Sequence, residues 1–215
     1  MDVLLDNLDL FERGFLNTIQ LFVLAAIGSL VLGMVLAMLR VSPVPFLRAA
    51  GTAYVTLFRN TPLTLIFFFF AFAFPLLEIV SISYFTAAVT ALSLYTAAFI
   101  CEVVRSGINT VPVGQAEAAR ALGLGFGQIL TSVVLPQATR AVVPPMVSTL
   151  IALLKNTTVA AGFSVAEAGA IRDYLSERGE PALTGLLWVA LFFVILVVPM
   201  TLLQRSLEKR WSVAR

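Results

Sequence analysis

Residues 114–137 read GQAEAARALGLGFGQILTSVVLPQ and lie between hydrophobic segments long enough to cross a membrane. Pro112 suits the first turn of a helix, where its missing N–H would have had no partner. Residues 115–122 are mostly good helix formers, so a first short helix is expected there. Gly123 can adopt the left-handed conformation that closes a helix, and Gly125 and Gly127 loosen the residues after it. Residues 128–134 then resume a helical pattern with Ile129, Leu130, Val133 and Val134, and Pro136 is expected to stop it. Taken alone, the stretch is two short interfacial helices with a hinge, in which Glu117 could pair with Arg120 at i+3.

The surroundings decide where this hinge sits. Of 215 residues, 60% are hydrophobic and only 12% charged, with mean hydropathy +0.98, a composition that belongs in lipid. There is no histidine, and the single cysteine, Cys101, sits in an apolar run. That excludes a disulfide within the chain and a zinc-type ligand set. The first residues carry Asp2, Asp6, Asp9 and Glu12 instead of a basic start, so the first hydrophobic segment is expected to be retained.

The expected architecture is all-α and polytopic, a single transmembrane domain of five spans at about 15–39, 52–76, 83–104, 140–163 and 181–203, with a loop at about 112–137 between the third and fourth. Residues 121–139 are uncharged too, but only Arg140 separates them from the next apolar run, and one residue cannot turn a chain between two membrane helices. With residues 40–51 inside, that face collects Arg40, Arg48, Arg105, Arg120, Arg140, Arg205, Lys209, Arg210 and Arg215, against Arg13, Arg172 and Arg178 opposite. The positive-inside rule then puts the N-terminus outside, and the C-terminus and the 112–137 loop in the cytoplasm.

In that setting the residues resemble a known family, the permease subunits of ABC importers of the polar amino acid uptake branch. Its EAA loop has the form E-A-A, three residues, G, nine residues, I, one residue, L-P. Glu117, Ala118, Ala119, Gly123, Leu135 and Pro136 match it, with Val133 where isoleucine is usual. FRNTPLTL (58–65), LYTAAFICEVVRSGINTVPVGQAEAARALGLGFG (94–127) and LIALLKNTTVA (150–160) look like the glutamate-uptake permeases of actinobacteria. The resemblance implies a type I ABC importer transmembrane domain in a bacterial cell membrane, whose EAA loop forms coupling helices seated on an ATPase subunit. It implies as partners the ATPase subunits, an extracellular substrate-binding protein and a second permease, a related chain or a second copy of this one. No nucleic acid is expected. No cofactor is expected on this chain, which lacks a phosphate-binding G-x-x-x-x-G-K-[ST] loop and is not expected to be an enzyme; ATP and Mg would sit on the ATPase. Small Ala118 and Ala119 would allow close approach to that partner, and Glu117 would offer it a carboxylate.

The cargo must be sought in the spans, where a charge costs at least ~2.5 kcal/mol and calls for a reason. Arg59 and Glu102 lie at depths similar enough for an ion pair, which stands beside a direct cargo role for Arg59. Lys155, Asn156 and Thr157 form a polar run in the fourth span, expected to face the pathway. Together with Thr61, these residues could supply donors to the two carboxylates of glutamate or aspartate. The acids of residues 164–180, among them Glu167, are read as solvated or as docking a binding protein. An ion-gradient-driven secondary transporter or channel subunit is the alternative; it would call for inverted repeats and mid-membrane acids, which the sequence lacks.

Overall fold

The computed structural model describes residues 2–211, so the Arg215 of the charge argument lies outside the described residues. These form helices α1 (Asp2–Leu5), α2 (Leu8–Val41), α3 (Pro45–Asn60), α4 (Leu63–Phe68), α5 (Tyr84–Asn109), α6 (Val113–Ala121), α7 (Phe126–Ile129), α8 (Leu135–Asn156), α9 (Ile171–Glu177) and α10 (Ala182–Trp211), with no strand among the described residues. Four helices are long and apolar enough to cross a membrane: α2, α5, a continuous helix Phe126–Phe163, and α10. A fifth crossing exists if the bent pair Pro45–Asn60 and Leu63–Leu77 counts as one span.

The core is built on α2 against α5, and small residues set the distance between them. A Cβ on Gly33 would lie 2.6 Å from Ile100 Cγ2 and 3.0 Å from the Ala97 carbonyl oxygen, and one on Gly28 would lie 2.6 Å from Ser93 Oγ. Ala88, Ala91, Ala97 and Ala98 on α5 are buried. Backbones approach this closely only where side chains are small, which is how helices associate when lipid removes the hydrophobic drive between them.

The expected span 52–76 is not one straight helix. Its axis turns by 102° between α3 and α4. Pro62 lacks an N–H and forces Thr61 into extended backbone (φ −97°, ψ 129°), so α3 ends at Asn60. The freed carbonyls find donors nearby: Thr61 Oγ1 donates to Leu57 O at 2.8 Å, and Asn60 Nδ2 to Thr56 O at 2.8 Å. These two side chains serve carbonyls in the last turn of α3 at the break. Arg59 consequently stands at the last turn of a helix beside a bend, half exposed, not within a continuous span.

The second departure is at Pro136, which does not stop the chain. Residues 126–163 are one 38-residue helix, and the boundary expected near residue 137 lies inside it. A π-helical turn over Leu130–Val134 lets Leu135 N–H reach Leu130 O, and this widened turn makes room for the proline ring just beyond. No turn occurs at Arg140, so residues 121–139 are not a separate span. At a rise of 1.5 Å per residue the helix is roughly 55 Å long, well beyond a hydrocarbon core of about 30 Å. The helix is thus longer than an apolar layer of that thickness, and its last turns tighten to a 3₁₀ helix over Thr157–Phe163.

Candidate functional site

The 114–137 stretch folds as a capped lever. Helix α6 closes on Gly123, whose φ of +85° only glycine adopts freely. Gly123 N–H donates to Arg120 O at 2.9 Å and Leu124 N–H to Ala119 O at 3.2 Å, the paired bonds of a Schellman cap. Gly125 N–H then donates to Gln128 Oε1 at 2.9 Å, capping α7. Gln137 Nε2 donates both to Gln115 Oε1 and to Val133 O, which ties α6 to the long helix. Glu117 and Ala118 are exposed, and among the described residues Glu117 makes no ion pair with Arg120. Large apolar side chains project beside them, Leu122 at 82% and Phe126 at 78% exposure. Leu135 and Pro136 are exposed as well, whereas Ala119 is buried inside the chain, so its small size serves an internal contact.

At the end of α5 nearest this lever lies a cavity of about 420 Å³ lined by Arg40, Thr56, Arg59, Asn60, Phe99, Glu102 and Arg105, with Val55 at its wall. Glu102 accepts from Arg40 through Oε1 and from Arg105 Nη2 through Oε2 at 2.9 Å. Arg59 Nη1 stands 3.9 Å from the same carboxylate, and its guanidinium carbon lies 5.6 Å over the Phe99 ring. The expected pairing of Arg59 with Glu102 is thus present but loose. Arg40 and Arg105 hold the carboxylate more closely, and three guanidinium groups face a single acid.

The other candidate cargo residues do not share one place. Asn156 lines a second cavity of about 260 Å³ with Tyr95, Thr96, Phe99, Ser148 and Thr149. Lys155 turns away from it, toward Phe193, Val194 and Val197 of α10. Thr157 is fully buried and donates to Leu154 O at 2.7 Å, and Thr61 sits at the α3–α4 bend among Leu57, Phe58 and Leu65. Arg59 and Asn156 line different cavities, and Phe99 belongs to the walls of both. The spacing Tyr95, Phe99, Glu102 puts all three on one face of α5, a signal the sequence offered.

Glu167 departs most from expectation. It is wholly buried, so it is neither solvated nor free to dock a partner. Thr18 Oγ1 donates to its Oε2 at 3.1 Å and Gly169 N–H to its Oε1 at 2.8 Å, while Ala168 N–H donates to Thr18 Oγ1. Burial pushes its carboxyl from the usual 4.5 up to about 7, against the opposing pull of those donors. The cluster clamps the segment before α9 onto the start of α2. Among the described residues no group of histidine, cysteine or acidic side chains could hold a metal ion.

Comparison with known proteins agrees with this lever-and-spans arrangement. The chain is 43% identical over 213 residues to the glutamate transport system permease protein GluC of Corynebacterium efficiens, covering 94% of this chain and 93% of that one. It is 36% identical to the probable glutamine ABC transporter permease protein GlnM of Bacillus subtilis, covering 98% and 97%. A crystal structure of an amino acid ABC transporter superposes with a TM-score of 0.90 over 96% of both chains at 24% identity, a likeness of fold. Residues 29–213 match the family described as binding-protein-dependent transport system inner membrane component, and the chain belongs to that family.

Proposed function

We propose that this chain is a permease subunit of an ATP-driven ABC importer that moves a polar amino acid, with glutamate or aspartate as the favoured cargo. An external binding protein delivers the amino acid. A second permease, a related but different chain, completes the pathway, and ATP with Mg is bound by separate ATPase subunits seated on residues 112–137. The N-terminus lies outside the bacterial cell membrane and the C-terminus in the cytoplasm, following the sorting of arginine and lysine.

The observation that carries this reading is the lever itself. Glu117 and Ala118 stand exposed with Leu122 and Phe126 on a short capped helix joined by Gln137 to a helix that runs on through the membrane. A charge flanked by bare apolar side chains suits a protein partner, and the continuous helix passes that partner's movement into the spans. The acidic cargo is supported by the surplus of guanidinium groups in the Arg59 cavity and by the glutamate named for the 43% identical relative. Arg59, Thr61, Lys155, Asn156 and Thr157 remain the proposed pathway residues, with Arg59 and Asn156 favoured because the cavities they line share the Phe99 ring.

The test is Glu117→Lys in the assembled complex in proteoliposomes. Reversing the charge at the centre of the contact is expected to cut uptake by about tenfold or more while the ATPase subunits still hydrolyse ATP. Uptake at the wild-type rate from a correctly assembled variant sinks the coupling role.

A further inference from the structure

Two cavities of different chemistry meet at one side chain. The chamber of about 260 Å³ has a mainly apolar wall that includes Ala152 and Leu153, and its polar groups, from Tyr95, Thr96, Ser148, Thr149 and Asn156, are all neutral. The cavity of about 420 Å³, nearer the lever, is lined by Arg40, Arg59, Arg105 and Glu102. Phe99 lines both. We propose that these are consecutive compartments of one cargo route and that Phe99 is the partition between them, held shut by Arg59. The proposal rests on the transport function proposed for the chain and names the residue that divides the path.

The ring has two close neighbours. Tyr95 packs against it at 5.0 Å between centroids, tilted by 52°, and the Arg59 guanidinium lies over it at 5.6 Å. A guanidinium over an aromatic face is attracted by the ring quadrupole, more strongly where water is scarce. Arg59 also has somewhere else to go, because Glu102 Oε1 is only 3.9 Å from its Nη1. A small shift of α3 that draws Arg59 onto Glu102 removes the cation from the ring and lets Phe99 rotate. Arg59 stands one residue from the end of α3, beside the 102° bend, where such a shift is least opposed.

The lining chemistry gives each compartment a task. A zwitterionic amino acid needs acceptors for its ammonium and donors for its carboxylate, and Asn156 and the hydroxyls provide both without net charge. Past the ring, Arg59 receives a cargo carboxylate, since Arg40 and Arg105 already occupy the two oxygens of Glu102 and Arg59 stands off at 3.9 Å. The cargo thus moves from a neutral chamber that recognises the amino-acid core to a cationic one that draws it toward the lever.

The experiment uses the complex with its partner subunits in proteoliposomes and labelled glutamate as the probe. Phe99→Ala is expected to raise passive flux without ATP by about tenfold or more, as a barrier lowered by one such step would. It should also lower uptake per ATP hydrolysed, and Phe99→Tyr should restore both. Wild-type passive flux and wild-type uptake per ATP in assembled Phe99→Ala overturn the proposal. Should Phe99→Ala not assemble, Asn156→Cys in the nucleotide-free complex decides instead. An impermeant thiol reagent is expected to label it from the side opposite the lever and not from the lever side, after subtraction of the parent chain, whose Cys101 is fully buried. Equal labelling from the two sides overturns the partition. The labelling does not depend on the cargo, so a wild-type complex that imports no glutamate refutes the acidic-cargo reading separately.

Discussion

At residue 167 a carboxyl has been taken wholly out of solvent with no cation beside it, and that makes it a stability device with a sign. Its folded-state pKa, about 7, lies above the usual 4.5, so the folded chain binds a proton the unfolded chain has released. The stabilisation is complete below about pH 4.5 and is lost as pH rises through 7, on the order of 3 kcal/mol over that window. In the protonated state Oε2 can donate to Thr18 Oγ1, which turns its own proton to Gly14 O, an acceptor at 3.1 Å. Glu167→Gln keeps the shape and removes the titration. Thermal midpoints of the solubilised complex at pH 5 and pH 8 should fall less for Glu167→Gln than for wild type, and equal falls would sink this account. The sequence shows the acid but not its surroundings, because Thr18 lies 149 residues away in the chain. Arg59 and Glu102 were legible as a pair from their similar depths. Arg40 was not, since at 62 residues' separation it reads only as the cation that ends a span.

Among the elements, the crossing of α5 over α8 next to the lever leaves little room. A Cβ on Gly107 would collide with Val142 Cγ2 and lie 3.3 Å from the Ala138 carbonyl oxygen. Gly107→Val is expected to cost about 1–3 kcal/mol by overpacking. Gly114→Ala in α6, where a Cβ meets nothing within 4 Å, is expected to gain up to about 1 kcal/mol by lowering the entropy of the unfolded chain. Denaturation of the two variants in detergent checks both signs, and a destabilised Gly114→Ala or a neutral Gly107→Val would contradict the packing described. Span length and hydropathy made α2, α5 and α10 legible, and Gly123 correctly marked the end of α6. Proline was the ambiguous letter. Pro62 comes after an extended Thr61 and breaks the helix, with Asn60 and Thr61 serving the open carbonyls. Pro136 comes after a π turn and is absorbed, as Pro144 and Pro145 are inside α8. Which outcome occurs depends on backbone width and side-chain donors that a hydropathy pattern does not carry.

For the whole molecule, the distribution of parts favours a chain driven from one end. The lever, the charged cavity and the tight α5–α8 crossing lie toward the same end of α5, while the Glu167 clamp fixes the start of α2 to the segment before α9. Facing carboxylates at mid-membrane, which a proton- or sodium-coupled carrier would use, are absent among the described residues: Glu102 is held by Arg40 and Arg105, and Glu167 lies outside the spans. Energy is therefore expected to enter through residues 112–137, not through an ion gradient. In proteoliposomes with ATP inside, uptake of labelled glutamate should persist after ionophores collapse all ion gradients and should cease when ATP is exhausted. Excess aspartate should suppress it, and arginine should not, because a second cation in the Arg59 cavity meets three guanidinium groups with one acid already paired. Uptake that survives ATP exhaustion but not the ionophores would identify a gradient-driven carrier instead. Suppression by glutamine as strong as by aspartate would keep the ATP drive but move the cargo to a neutral amide, leaving the surplus of arginine to act on the Phe99 ring rather than on the cargo's side chain.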